Sequence, residues 1–198
     1  MARPITITDE QILEAARTLF LRDGFNASTV EIARLAGVAE GTLFRRFTTK
    51  DALFRAAIKA PEVPSWVREL DPLLGQGDMR ENLIHITRAV ICFAQERMPF
   101  VMLRWSHKPS STDPASLEEE ESPIARDSRR LARFLQEEVD RGRLRPCQVE
   151  MVARLLLGPC LNLVMDSVVN KKPLTSEEVD RFSADLIETL WQGIAPEA

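Results

Sequence analysis

Apolar residues recur along this chain at three- and four-residue intervals, the period of helices that bury one face. A first helix is expected over 8–23, with Ile12, Ala15, Ala16, Leu19 and Phe20 on the inner side. Thr8 and Gln11 are spaced as a capping box at its start, and Asp23-Gly24 closes it. Between Ser28 and Lys50 two short helices meet at a glycine turn. Ser28 and Glu31 give a second capping box, Ile32, Ala33 and Leu35 an apolar face, and Gly37 the left-handed stop. The second of these helices opens at or beside Glu40 and turns Leu43 and Phe47 inward. A fourth helix is expected over 50–60, with Leu53, Phe54, Ala57 and Ile58 inward, and Pro61 and Pro64 then end the small bundle.

Longer helices follow. After a short one at 64–72, the pattern predicts a helix over 79–97 that is apolar nearly all round, continuing or kinking through 98–107. The segment 108–121, KPSSTDPASLEEEE, reads as a polar loop whose glutamates begin a solvated helix. An amphipathic helix over 122–142 places Ile124, Leu131, Phe134, Leu135 and Val139 inward and its arginines on a salt-bridged outer face. Helices over 147–169 and 175–193 complete the chain, the second opened by a capping box of Thr175 and Glu178. The expected fold class is all-α: an N-terminal helix-turn-helix head over 1–60 and a helical-bundle body over 61–198.

The stretch 28–50 carries the candidate chemistry. Its second helix leaves Thr42, Phe44, Arg45 and Arg46 outward, with Lys50 just beyond and a hydroxyl at Ser28 or Thr29 on the first. A helix entering a major groove needs groups that reach base edges and flanking cations that hold phosphates. Thr42, Phe44 and Arg45 are the candidates for the groove; Ser28 or Thr29, Arg46 and Lys50 are the candidates for phosphates.

AGVAEGTLFRRFTTKDALF closely resembles the DNA-binding signature of TetR-family transcriptional regulators. Ala36, Gly37, Val38, Gly41, Thr42, Leu43, Phe44, Phe47, Lys50 and Leu53 all fall on it. Phe44 stands where the family often has Tyr, which reduces its role to packing against sugar or a thymine methyl. From Gly24 to Ile32 the chain is one residue shorter than the family pattern, which leaves Ser28 and Thr29 both open as the phosphate contact. The resemblance implies a homodimer formed by the last two helices, a palindromic operator in double-stranded DNA, and a small-molecule effector site in the body.

Charge refines this picture. The net charge of −4 divides into +2 over 1–60 and −6 over 61–198, so the cationic surface is local to the head. The apolar excess of 147–169 calls for a partner, and Leu157, Leu161, Val164, Val168, Phe182, Leu186 and Leu190 are the expected dimer interface. An effector pocket would draw its walls from Trp66, His85, Phe93, Met98, Phe100, Met102, Trp105, Asn162, Met165 and Asp166. Read alone, His85 fits a core histidine with a satisfied hydrogen bond better than it fits a pocket.

Other chemistry has no support. Neither histidine has metal-ligand spacing to other ligands, and nucleophile-elbow, P-loop and dinucleotide-binding motifs are missing, so no enzyme, metal or cofactor is expected. Three cysteines without a C-x-x-C pair read as reduced thiols, Cys92 and Cys160 as small core residues, with a redox pair as the alternative. Without a signal peptide or membrane span, the expected location is the cytoplasm. Arg3 lies in an N-terminal arm that could reach a minor groove or remain a free tail. The expected function is a repressor released by a small organic ligand. The alternatives are an activator, a ligand-independent regulator, and a helical ligand-binding or protein-interaction module without DNA binding.

Overall fold

The structure is a computed structural model that describes residues 7–59, 61–107 and 122–194, the last three by backbone alone. Arg3 and the segment 108–121 lie outside the described residues. The described residues are helical with no strand, and they divide into two units. The head contains 7–59 together with 99–107, and the body contains 61–98 and 122–194.

In the head, α1 (Asp9–Asp23) starts at Thr8, whose capping box with Gln11 is complete. A short 3-10 turn (Gly24–Asn26) leads to α2 (Thr29–Ala36), α3 (Glu40–Phe47) and α4 (Lys50–Ile58). Ile12, Phe20, Ile32, Leu43, Leu53 and Phe54 are almost fully buried and form the core. Arg17 ties α1 to the end of α4 through a 2.9 Å hydrogen bond from Nε to the Ala57 carbonyl. Two expectations change. Glu31 does not reach back to cap Ser28; it pairs with Arg22 at 3.0 Å, leaving half a capping box. Leu35 is 54% exposed, because the eight residues of α2 carry only Ile32 and Ala33 into the core.

The body begins with two single-turn helices, α5 (Ser65–Arg68) and α6 (Leu70–Leu73), in place of one. The long α7 (Met79–Ser106) runs uninterrupted past Pro99, and the division between the units falls within it, after Met98. Its last turns therefore belong to the head, where Phe100 and Leu103 pack against the core, so the head does not end at residue 60. Then come α8 (Pro123–Asp140), α9 (Val149–Val169) and α10 (Ser176–Ile194). Ile124, expected inward, is 53% exposed in the first turn of α8. The capping box of Thr175 and Glu178 forms in both directions. The Thr175 N–H and the neighbouring Lys172 hold the Glu178 carboxyl down at about 2.

The arginines of α8 are partly structural. Arg126 and Arg130 flank Asp127 and donate to the carbonyls of Pro61 and Glu62, fixing the start of the body chain. Burial outweighs both cations at Asp127 and pushes its carboxyl above the usual range.

The cysteines are free thiols, but only one of the two expected core positions holds. Cys160 is buried, donates to the Leu156 carbonyl at 3.0 Å, and is pushed up by desolvation to about 12. Cys92 is exposed, because it lies on the side of α7 away from Val90, Ile91 and Ala94. Alkylation of the folded protein, mapped by mass spectrometry, is expected to label Cys92 and spare Cys160, since only a thiolate reacts. Comparable labelling of both would contradict this burial.

Candidate nucleic-acid interface

The interface is built on the turn between α2 and α3. Gly37 sits at φ 71°, ψ 28°, a left-handed conformation that lets its N–H close α2 on Ala33 and Arg34. The chain then re-enters a helix at Ala39, with Leu43 completely buried beneath. Burying Leu43 orients α3. Gly41 and Arg45 are exposed on its outer side, and Thr42 is half-buried. After α3 the chain reverses through Thr48 at φ 36°, a strained value for a β-branched residue, and Thr49 caps α4 by accepting from the Ala52 N–H at 3.0 Å.

Each expected contact residue now has a definite setting. Arg45 is exposed and has no ion pair among the described residues. Arg46, by contrast, donates to Asp9 at 2.8 Å, so its charge is half-spent on the first turn of α1. Phe44 is not fully outward; its ring packs against the head core. The Thr29 hydroxyl donates to Glu40 at 2.7 Å, across from the first turn of α3. The Ser28 hydroxyl oxygen accepts from the Glu31 N–H at 3.4 Å, which leaves its own proton available to a ligand. Lys50, at the start of α4, lies 5.0 Å from the centroid of the Phe25 ring. Asp9 and Glu40 were missed in the sequence because acidic residues in a first helical turn are common for the helix dipole alone.

The residues expected to line a pocket are divided between the two units. Trp66 and Met98 are buried in the body, and Phe93 and Met165 are half-buried there. Phe100, Met102 and Trp105 lie on the head part of α7, Trp105 being 68% exposed. His85 is exposed and bonded to Glu69 at 2.6 Å, so it is not a core residue. Asn162 and Asp166 face outward, Asp166 accepting from Asn170 at 2.8 Å.

The expected interface residues also separate. Leu157 and Val164 are buried within the protomer's own core, because α9 uses that side to pack on its neighbours. Leu161, Val168, Phe182, Leu186 and Leu190 are half-buried. The surface of α9 instead offers Met151, Leu155 and Val169, all between 45% and 60% exposed. Among the described residues no cluster of His, Cys, Asp and Glu could hold a metal ion.

Residues 12–57 match the family model of bacterial regulatory proteins of the tetR family. The chain is 30% identical over 99 residues to YvkB of Bacillus subtilis (strain 168), an uncharacterized HTH-type transcriptional regulator. That match covers 48% of this chain and 50% of YvkB, so the chain spans about half the length of the curated relatives it matches. A solved TetR-family transcriptional regulator from Mesorhizobium loti MAFF303099 superimposes with a TM-score of 0.78 at 21% identity, covering 94% of this chain and 96% of that one. The flavonoid-responsive regulator FrrA superimposes with a TM-score of 0.62 at 27% identity, covering 96% and 98%.

Proposed function

We propose that this chain is a member of the TetR family of bacterial regulatory proteins, that it reads a two-fold symmetric operator as a homodimer, and that it acts as a repressor released by a small organic ligand. In this reading the chain is a DNA-binding transcriptional regulator, supported by the match of residues 12–57 to the family model. The observation that carries the reading is Arg45, a cation with no ion pair among the described residues, on the exposed side of the second helix of a helix-turn-helix. Thr42 and Arg45 are assigned to base edges, with Phe44 supporting them from the core side. Ser28 is assigned to a phosphate in preference to Thr29, whose hydroxyl is engaged by Glu40. Lys50 holds a second phosphate, and Arg46 joins only by leaving Asp9.

Selection of bound duplexes from a random library tests the function, and a two-fold symmetric motif is the expected product. Arg45→Ala is then expected to weaken operator binding by about 1–3 kcal/mol and to relax one position in each half-site. An unchanged motif would remove Arg45 from the readout.

Dimerisation explains the surface of α9. This helix is long and apolar enough to span a membrane by length and composition, yet only 39% of its apolar window is buried. Met151, Leu155 and Val169 fall within about 40° of one another around the helix axis, an unpaired apolar row that a second copy can cover. Two heads must then present α3 about 34–36 Å apart. Leu155→Glu is expected to give monomers in sedimentation and to lose operator binding. A persistent dimer would move the interface elsewhere.

The effector assignment takes its support from FrrA, a regulator described as flavonoid-responsive. A ligand releases DNA only to the extent that it binds better to a head spacing that the operator cannot accept.

A further inference from the structure

The head is completed by a side chain from far outside the helix-turn-helix. His107 directly follows α7, and its ring stacks on Phe25 with centroids 3.7 Å apart and planes 19° from parallel. It meets Phe54 edge-on at 5.0 Å, and its Nε2 lies 2.8 Å from Asp51 Oδ1. Only 16% of the side chain is exposed. The same Phe25 ring carries the Lys50 ammonium 5.0 Å from its centroid. Lys50 and Asp51 are consecutive residues in the first turn of α4.

We propose that His107 is a positioning residue of the DNA interface: it holds the Asp51 carboxylate and thereby leaves the Lys50 charge to a phosphate. This rests on the reading of Lys50 as a phosphate contact. An unheld Asp51 is an anion one residue from that cation. It would pair with the ammonium, and that pair cancels the counterion release that a phosphate contact supplies. With an acceptor-only carboxylate 2.8 Å from Nε2, the ring is assigned its proton at Nε2 and donates to Asp51. The stack on Phe25 fixes the imidazole in the plane that this hydrogen bond requires.

The test is the salt dependence of operator affinity, with thermal unfolding measured alongside. His107→Phe keeps an aromatic ring against Phe25 and loses only the donor. It is expected to bind about 3–10-fold more weakly near 0.15 M salt, with a log–log slope shallower by up to about one unit. Adding Asp51→Asn is expected to restore the slope, because the unheld anion is gone. In a Lys50→Ala background, His107→Phe is expected to change nothing further. A merely structural His107 would lower affinity in every background and would not be rescued by Asp51→Asn; that pattern overturns the proposal. Should His107→Phe unfold the head, His107→Gln, which retains an N–H donor, must keep the wild-type slope, and a slope lowered as in Lys50→Ala overturns it. Wild-type binding with an unchanged His107→Phe slope overturns this proposal alone. A folded wild type that selects no operator overturns the DNA-reading function, and this proposal with it.

Discussion

Phe54→Ala is expected to destabilise the protein by about 3–5 kcal/mol, the range for emptying a fully buried aromatic site. The ring is 2% exposed and stands edge-on to Phe20 at 4.9 Å and to Phe25 at 5.2 Å. It sits on α4, while its partners come from α1 and from the turn after it, so its loss opens the junction that supports α3. Edge-to-face pairs add roughly 0.5–1.5 kcal/mol to simple burial, which places this site above an average leucine. Native domains hold only about 5–15 kcal/mol in total, so operator binding is expected to disappear well below the wild-type melting temperature. Denaturant unfolding followed by circular dichroism measures the loss. A change under about 1 kcal/mol would show that neighbouring side chains refill the site.

The second large effect is expected in the body. Glu138 is completely buried near the end of α8, where its Oε1 accepts the Gly75 N–H at 2.8 Å. Arg143 Nε lies 2.7 Å from its Oε2, off the axis of a good hydrogen bond, so this contact is an ion pair. Arg143 also donates to the Gln76 carbonyl at 2.7 Å, and the two side chains together clasp the turn before α7. Glu138→Ala would leave the half-buried Gly75 N–H without its acceptor and Arg143 without its anion. Breaking a buried pair costs about 3–5 kcal/mol; because Arg143 is 23% exposed and can reach water, the lower end, about 3 kcal/mol, is expected here. Glu138→Gln keeps an acceptor for Gly75 and should lose less. Equal losses in urea unfolding would assign the whole effect to the ion pair.

These two sites divide cleanly in how far they can be read from the chain. Phe54 was legible, since it falls at helical spacing with Leu53, Ala57 and Ile58, and all four are buried. Glu138 was not. It lies in a helix rich in outward charge, and nothing within several residues distinguishes it from Glu137, which is half-buried. Its burial follows from the arrival of Gly75, 63 residues earlier. His107 was illegible for the same reason, since Phe25 and Asp51 lie 82 and 56 residues away.

What the sequence determined by itself was local. The capping boxes at Thr8 and Thr175, the left-handed stop at Gly37 and the starts and stops of the head helices all arise from groups within four residues of one another. There a hydrogen bond or a φ angle is decided before any tertiary contact forms. The periodicity likewise determined that each helix has an apolar side. Tertiary structure decided which apolar sides are covered: Leu157 and Val164 inward, Leu155 and Val169 outward, Leu35 and Ile124 exposed, and Cys92 on the surface. It also decided which charges are spent, leaving Arg45 without an ion pair among the described residues while Asp9 holds Arg46. Burial and pairing depend on which distant segments meet, and that depends on the packing of whole helices, which no local spacing encodes.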